Sequence, residues 1–163
     1  VFWTLHTNEA AGTITRLIYM GVEPFLIASS LVAAIGQRLI RVLCKRCREP
    51  YAPGDEELAE LSLSRAKIAG KTSYRAKGCV HCNHTGYHGR TGIFEILPID
   101  ETIRPMITRG VDSKQIQDAA LAAGMQTMRM HGARMVLEGT TSIAEIVRQT
   151  EEEAVAALDP QAA

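Results

Sequence analysis

Cys44-Lys45-Arg46-Cys47 and Cys79-Val80-His81-Cys82 decide how the middle of this sequence folds. A Cys-x-x-Cys turn lets two thiolates face one point, and two such turns build a tetrahedral cage of four sulfurs with no open coordination position. Zinc prefers that cage, so Cys44, Cys47, Cys79 and Cys82 are expected to ligate a zinc ion. Arg41, Lys45, Arg46 and Arg48 lie close by and offset the excess negative charge of four thiolates on one divalent cation. A closed site of this kind is structural, tying down a loop too polar to bury a core of its own. An iron–sulfur centre or a redox-active pair is the alternative for the same residues. His81, His84 and His88 flank the second pair as polar loop residues or donors to the sulfurs; the alternative is that one of them replaces a cysteine.

The pairs are separated by 31 residues, in which Asp55 to Leu63 reads as a short acidic helix and Lys71 to Lys77 as an extended segment. Ala69-Gly70-Lys71-Thr72 mimics the end of a phosphate-binding loop. That motif needs a glycine where Arg65 stands, a buried strand before it and a helix after it, so the match is a coincidence of composition. Working toward the N-terminus, Gln37 to Leu43 reads as a strand leading into the first pair. Pro24 suits the first turn of a helix expected to run, deeply buried, through Ile35. Before it, Ala10, Ile14, Leu17 and Ile18 keep helical spacing up to Gly21, with Thr7 or Asn8 as the cap. Val1 to Leu5 reads as a buried strand whose sheet partners are expected upstream of Val1.

Toward the C-terminus, Gly86, Gly89 and Gly92 mark turns, and Thr91 to Ile99 supplies a further strand. Helices are expected from Asp100 onward. Asp112 with Gln115 and Ser142 with Glu145 have the spacing of a reciprocal cap. Met125, Met128, Met130 and Met135 read as packing residues, not as a soft-metal site. The acidic, then small-residue stretch from Glu151 to Ala163 is expected to fray.

Composition narrows the function. Lys plus Arg and Asp plus Glu are 18 each, so the net charge is zero and the field of a dedicated nucleic-acid binder is missing. The longest apolar run, Phe25 to Ile35, is too short at 11 residues to cross a bilayer. Four paired cysteines without a secretory signal argue for a reducing compartment and a metal, not for disulfides.

Three segments together resemble one family. Leu5-His6-Thr7-Asn8-Glu9-Ala10-Ala11 is similar to the His box that follows a core strand in secretion-superfamily ATPases. Gly21-Val22-Glu23-Pro24-Phe25, followed by Gln37 to Cys44, looks like the next stretch of the same proteins, and Gly86 to Glu95 resembles the segment closing their metal-binding subdomain. The likeness extends to about Thr150 and points to the GspE-type type II secretion ATPases, with the type IV pilus assembly ATPases as close relatives sharing these motifs.

The resemblance implies a RecA-like core that hydrolyses ATP with Mg2+ as a ring-shaped hexamer on the cytoplasmic face of the inner membrane. Movement is passed to membrane platform proteins that assemble a pseudopilus or pilus. The Walker A, Asp-box and Walker B segments and the upstream arginines are absent from this sequence and expected before Val1, so the chain alone is expected to be inactive. His6 is implied to sense the γ-phosphate or position the attacking water, with a plain turn histidine as the alternative. Gln37 and Arg38 are implied to reach the nucleotide or a neighbouring subunit, against a solvated or salt-bridged strand arginine.

The expected fold is α+β. Residues 1–43 end the RecA-like core, 44–88 form the zinc subdomain, 89–99 return as a strand, 100–158 are a helical subdomain and 159–163 a tail. The competing reading is a stand-alone zinc ribbon that binds protein or nucleic acid, and the neutral charge counts against nucleic acid.

Overall fold

The computed structural model describes every residue except Val1, Phe2, His6, Asn8 and 159–163, and gives only the backbone of 151–158. Helices α1 (Ala10–Tyr19) and α2 (Pro24–Ser30) precede strand β1 (Ala33–Leu43). Then come β2 (Glu49–Tyr51), α3 (Asp55–Glu60), α4 (Arg65–Ile68) and β3 (Ser73–Arg75). After a single 3-10 turn at Val80–Cys82, β4 (Tyr87–Pro98) leads into α5 (Ile103–Thr108), α6 (Ser113–Ala122), α7 (Met128–Leu137) and α8 (Ile143–Leu158). The chain divides into two compact units, residues 1–36 with 94–127 and residues 37–93 with 128–163. Strands β1 and β4 pair with each other. Ile99 N donates to Val32 O at one end and Cys44 N to Gly86 O at the other, so they run antiparallel.

In the first unit α2 packs on α5 and α1 on α6. Ile14, Ile27, Leu97, Ile107 and Ile116 are buried there, each such side chain contributing roughly 2 kcal/mol through removal from water. Helix α1 has the buried face its spacing predicts and ends at Gly21, whose φ of +86° only glycine adopts freely. Its start differs from expectation. Asn8 lies outside the described residues, and the Thr7 hydroxyl is 3.0 Å from the Thr13 hydroxyl. The first-turn N–H of Ala10 donates instead to Glu95 Oε1 at 2.9 Å, from β4. A carboxylate suits this place because free N–H groups and the helix dipole make a helix start electropositive.

Two expectations in this unit are corrected. The apolar run does not stay helical to Ile35: α2 stops at Ser30 and β1 begins at Ala33. The hydroxyls of Ser29 and Ser30 both donate back to Leu26 O, a local bond that competes with helix propagation. Nor is the run deeply buried, since Phe25, Leu26 and Ile35 are all exposed. Trp3 to Leu5 lie in no strand and Trp3 is exposed; Val1 and Phe2 of the expected strand lie outside the described residues, and its sheet partners are expected upstream of Val1.

The second unit encloses Ile40, Leu58, Ile93, Met128, Val136 and Ile146. Strands β2 and β3 pair antiparallel, with Glu49 opposite Arg75 and Tyr51 opposite Ser73. Helix α3 carries Asp55, Glu56 and Glu57 in its first turn, matched to the positive end of its dipole. Met125 and Met128 are buried in apolar clusters and Met135 packs half-buried against the second, as packing residues should, but Met130 is exposed.

Asp112 caps α6 by accepting the Gln115 N–H at 3.0 Å, with the Gln115 side-chain amide on its other oxygen. At α8 only half of the expected reciprocal cap forms. Ser142 Oγ accepts the Glu145 N–H at 3.2 Å. The Glu145 carboxylate, fully buried, accepts instead from the Arg41 guanidinium and backbone N–H and from Arg148. Arg41 also lies 4.1 Å over the Tyr87 ring, and the Tyr87 hydroxyl is 2.7 Å from Ser142 Oγ. This network binds the end of β1 and the start of β4 to α8.

Burial alone would push the Glu145 carboxyl up, but Arg41 and Arg148 hold it down at about 2. Its contribution is therefore fully present above the ordinary glutamate range near 4.3 and is lost as pH falls toward 2. Glu145→Gln is expected to cost about 2 kcal/mol at neutral pH, the arginines being partly able to turn to water. Melting curves of both proteins between pH 7 and pH 2 should show the gap closing in acid; a gap unchanged with pH would rule out the charged network as its source.

Candidate metal centre

The end of β1 delivers Cys44 into a tight turn in which Cys47 N and Arg48 N both donate to Cys44 O. The second turn is built alike: Cys82 N and His84 N donate to Cys79 O at 3.1 and 2.8 Å. Asn83 and His84 both have positive φ, which curls the chain back toward the first turn. The result is four Sγ atoms within 4.8 Å of one another, an arrangement that can hold a metal ion. Cys82 Sγ stands 3.8 Å from the sulfurs of both Cys47 and Cys79.

Two glycines make this curl possible. A Cβ on Gly78 would lie 2.6 Å from His84 O, and one on Gly86 would lie 2.5 Å from the Ala76 Cβ. Both have positive φ as well. Gly86 also gives its N–H to Cys82 Sγ at 3.2 Å, as does Cys79 N.

The sulfurs are electrostatically unequal. Burial opposes ionisation of Cys82, yet the N–H groups of Cys79 and Gly86 and the adjoining thiols bring it down to about 6. Burial, with hydrogen bonds from the other three cysteines, pushes Cys47 up to about 12 despite the Gly78 N–H. A cation among the four would favour the thiolate at every one of them.

All four predicted ligands are brought together, and among the described residues no histidine joins them. His81 and His88 face each other with ring centres 4.6 Å apart. Arg48 reaches over the Tyr74 ring at 4.2 Å and donates to Gly139 O, bracing the module against the segment before α8. Gly70-Lys71-Thr72 sits in the turn before β3 with no helix behind it, so it is no phosphate loop.

His6 lies outside the described residues. Gln37 is exposed, and Arg38 donates to Gln149 O at 2.7 Å. Glu95 is the residue that reading the sequence passed over. It is buried, caps the helix that follows the His6 segment, and its second oxygen has no partner among the described residues. The signal was available: Ile93, Glu95 and Leu97 share the inward face of β4, where a charged side chain is out of place.

The family model described as type II/IV secretion system protein matches residues 1–148. Type II secretion system protein E of Pseudomonas aeruginosa is 44% identical over 153 residues, which is 94% of this chain and 30% of that protein. Type IV pilus assembly ATPase PilB of Thermus thermophilus is 43% identical over 150 residues, 92% of this chain and 17% of that protein. Type II secretion system ATPase E of Vibrio cholerae is 44% identical over 152 residues, 93% of this chain and 30% of its own length. The chain thus spans less than a third of the relatives it matches. The likeness takes in both cysteine turns and the strands and helices on either side of them, and the chain belongs to the family of type II/IV secretion system proteins.

Proposed function

We propose that the protein built on this chain hydrolyses ATP to drive assembly of a type II secretion pseudopilus or a type IV pilus, and that its four cysteines hold a structural zinc ion. The family match over residues 1–148 carries this reading. ATP and Mg2+ would be held by segments upstream of Val1 in a RecA-like core, with hexamers working against inner-membrane platform proteins on the cytoplasmic face. Among the described residues, no helix is long and apolar enough to cross a membrane. In this reading residues 1–43 and 89–99 serve the core and 44–88 form the zinc subdomain; the helices expected as one subdomain over 100–158 divide, α5 and α6 falling in the first unit and α7 and α8 in the second.

Zinc fits the donor set. A tetrahedron with Zn–S bonds of about 2.3 Å has edges of about 3.8 Å. Cys82 stands at that spacing from two of its partners. Bound zinc would supply a rigid crosslink and no catalytic chemistry, because four thiolates leave no coordination position open. His6 would donate a hydrogen bond to the γ-phosphate or to the attacking water. Glu95, through Ala10 N, would fix the start of the helix that follows that histidine in sequence. A stand-alone zinc ribbon is disfavoured, since the match runs on through β4 and the helices to residue 148.

One zinc per chain is expected in protein purified without added metal, with all four thiols protected from alkylation. Cys82→Ser should lose the metal and lower the melting temperature by about 10 °C. Metal-free protein with four reactive thiols would overturn the assignment. Gly86→Ala, which must displace Ala76, should cost roughly 1–3 kcal/mol and speed zinc loss to a chelator, and unchanged loss would show that the turn tolerates a side chain.

ATP turnover should be undetectable in these 163 residues and present in the longer protein. There His6→Ala is expected to lower kcat about tenfold or more with little change in KM. Full activity in that variant would remove His6 from the mechanism.

A further inference from the structure

The zero net charge conceals a sharp division. Residues 37–93 hold eleven Lys and Arg against five Asp and Glu, and the remainder of the chain carries the opposite surplus. All five acids lie between Glu49 and Glu60, so neither 37–48 nor 61–93 contains one. Several are already engaged: Glu49 with Lys77 and Arg75, Asp55 with Arg65, and Glu57 with the Gly54 N–H and the Tyr51 hydroxyl. A zinc–tetrathiolate adds two negative charges but leaves a surplus of four cations in this segment.

The two cysteine turns show where that surplus is presented. Their middle residues, Lys45 and Arg46 in one and Val80 and His81 in the other, are all exposed. Both turns close on the same four sulfurs, so these exposed residues share one apex over the cage. His81 faces His88 with ring centres 4.6 Å apart, and the four sulfurs lie within 4.8 Å of one another, so the middle residues of the two turns are neighbours. Lys45 and Arg46 form no ion pair among the described residues, and Val80 is 81% exposed at the tip.

A cationic tip with one protruding apolar side chain complements a layer of anionic headgroups over a hydrocarbon boundary. An acidic peptide would be better served by a groove. We infer that the apex formed by Lys45, Arg46, Val80, His81 and His88 docks on the anionic phospholipid surface of a membrane. This deepens the membrane-peripheral part of the function proposed above and rests on it.

The test is cosedimentation of the 163-residue chain with vesicles of phosphatidylglycerol and phosphatidylcholine, and of phosphatidylcholine alone. Each basic residue brought to an anionic leaflet strengthens binding about fivefold. Lys45→Glu with Arg46→Glu is therefore expected to weaken binding to the anionic vesicles at least tenfold, and Val80→Ser severalfold without a change of charge. Lys67→Glu with Lys71→Glu alters net charge equally on exposed residues away from the apex and should leave binding close to the parent's. Zinc content measured on each variant shows that the turns remain folded. Equal losses in the two charge-reversed pairs would overturn the apex while leaving membrane attachment standing. No binding to any vesicle would overturn the membrane-peripheral reading itself. Tighter binding to a single-stranded oligonucleotide than to anionic vesicles would assign the surface to nucleic acid and overturn the lipid.

Discussion

The second unit depends on four sulfurs meeting at one point. Between the cysteine turns the chain forms two three-residue strands and two helices of six and four residues. Leu58 and Leu61 of that stretch are buried in the apolar cluster, and Leu63 and Ile68 pack against it half-buried. Closing a flexible loop of about 30 residues costs on the order of 3 kcal/mol in chain entropy beyond a constant. Burial of these leucines is comparable to that closure cost, but it does not also cover the ordering of about 30 backbone residues, which a metal held in the sulfur cage would help to offset. The cysteine pattern is thus as much a folding constraint as a ligand set.

Two buried glutamates show how one side-chain type does opposite jobs. Glu145 is surrounded by arginines and remains ionised far into acid, acting as a clasp between β1 and α8. Glu95 faces a helix start with a single N–H on one oxygen and no described partner on the other. Its charge also helps raise the Glu9 carboxyl, behind the larger effect of burial there. A buried carboxylate with one oxygen uncommitted is costly to keep. It is tolerated where it sets the geometry of the backbone it touches.

Covalent spacing made the cysteine cage legible: four thiols in two short turns leave few arrangements, and the structure adopts the one expected. Alternation in β4 and the spacing of α1 were legible for the same reason, since a buried face repeats locally. The boundary between α2 and β1 was not. Phe25 to Ile35 is apolar in either conformation, and periodicity cannot separate a buried helix from a strand over so short a run. Glu145 was read as a local cap because Ser142 stands three residues before it. Of the two arginines that engage it, Arg148 stands three residues on, but Arg41 lies 104 residues away, and no local pattern announces that partner. Net charge misled in another way, averaging a basic stretch with an acidic one.

The Cys44 N–H bonds to Gly86 O at 2.9 Å, so the chain leaves and rejoins the β1–β4 ribbon at adjacent rungs. Topologically, everything from residue 45 to 85 is one oversized hairpin loop. Such an insertion can be lengthened, shortened or replaced by a tight turn without changing the order or direction of the strands that carry it. The metal module is therefore, in topology, a detachable loop on a two-stranded stem that keeps its own register.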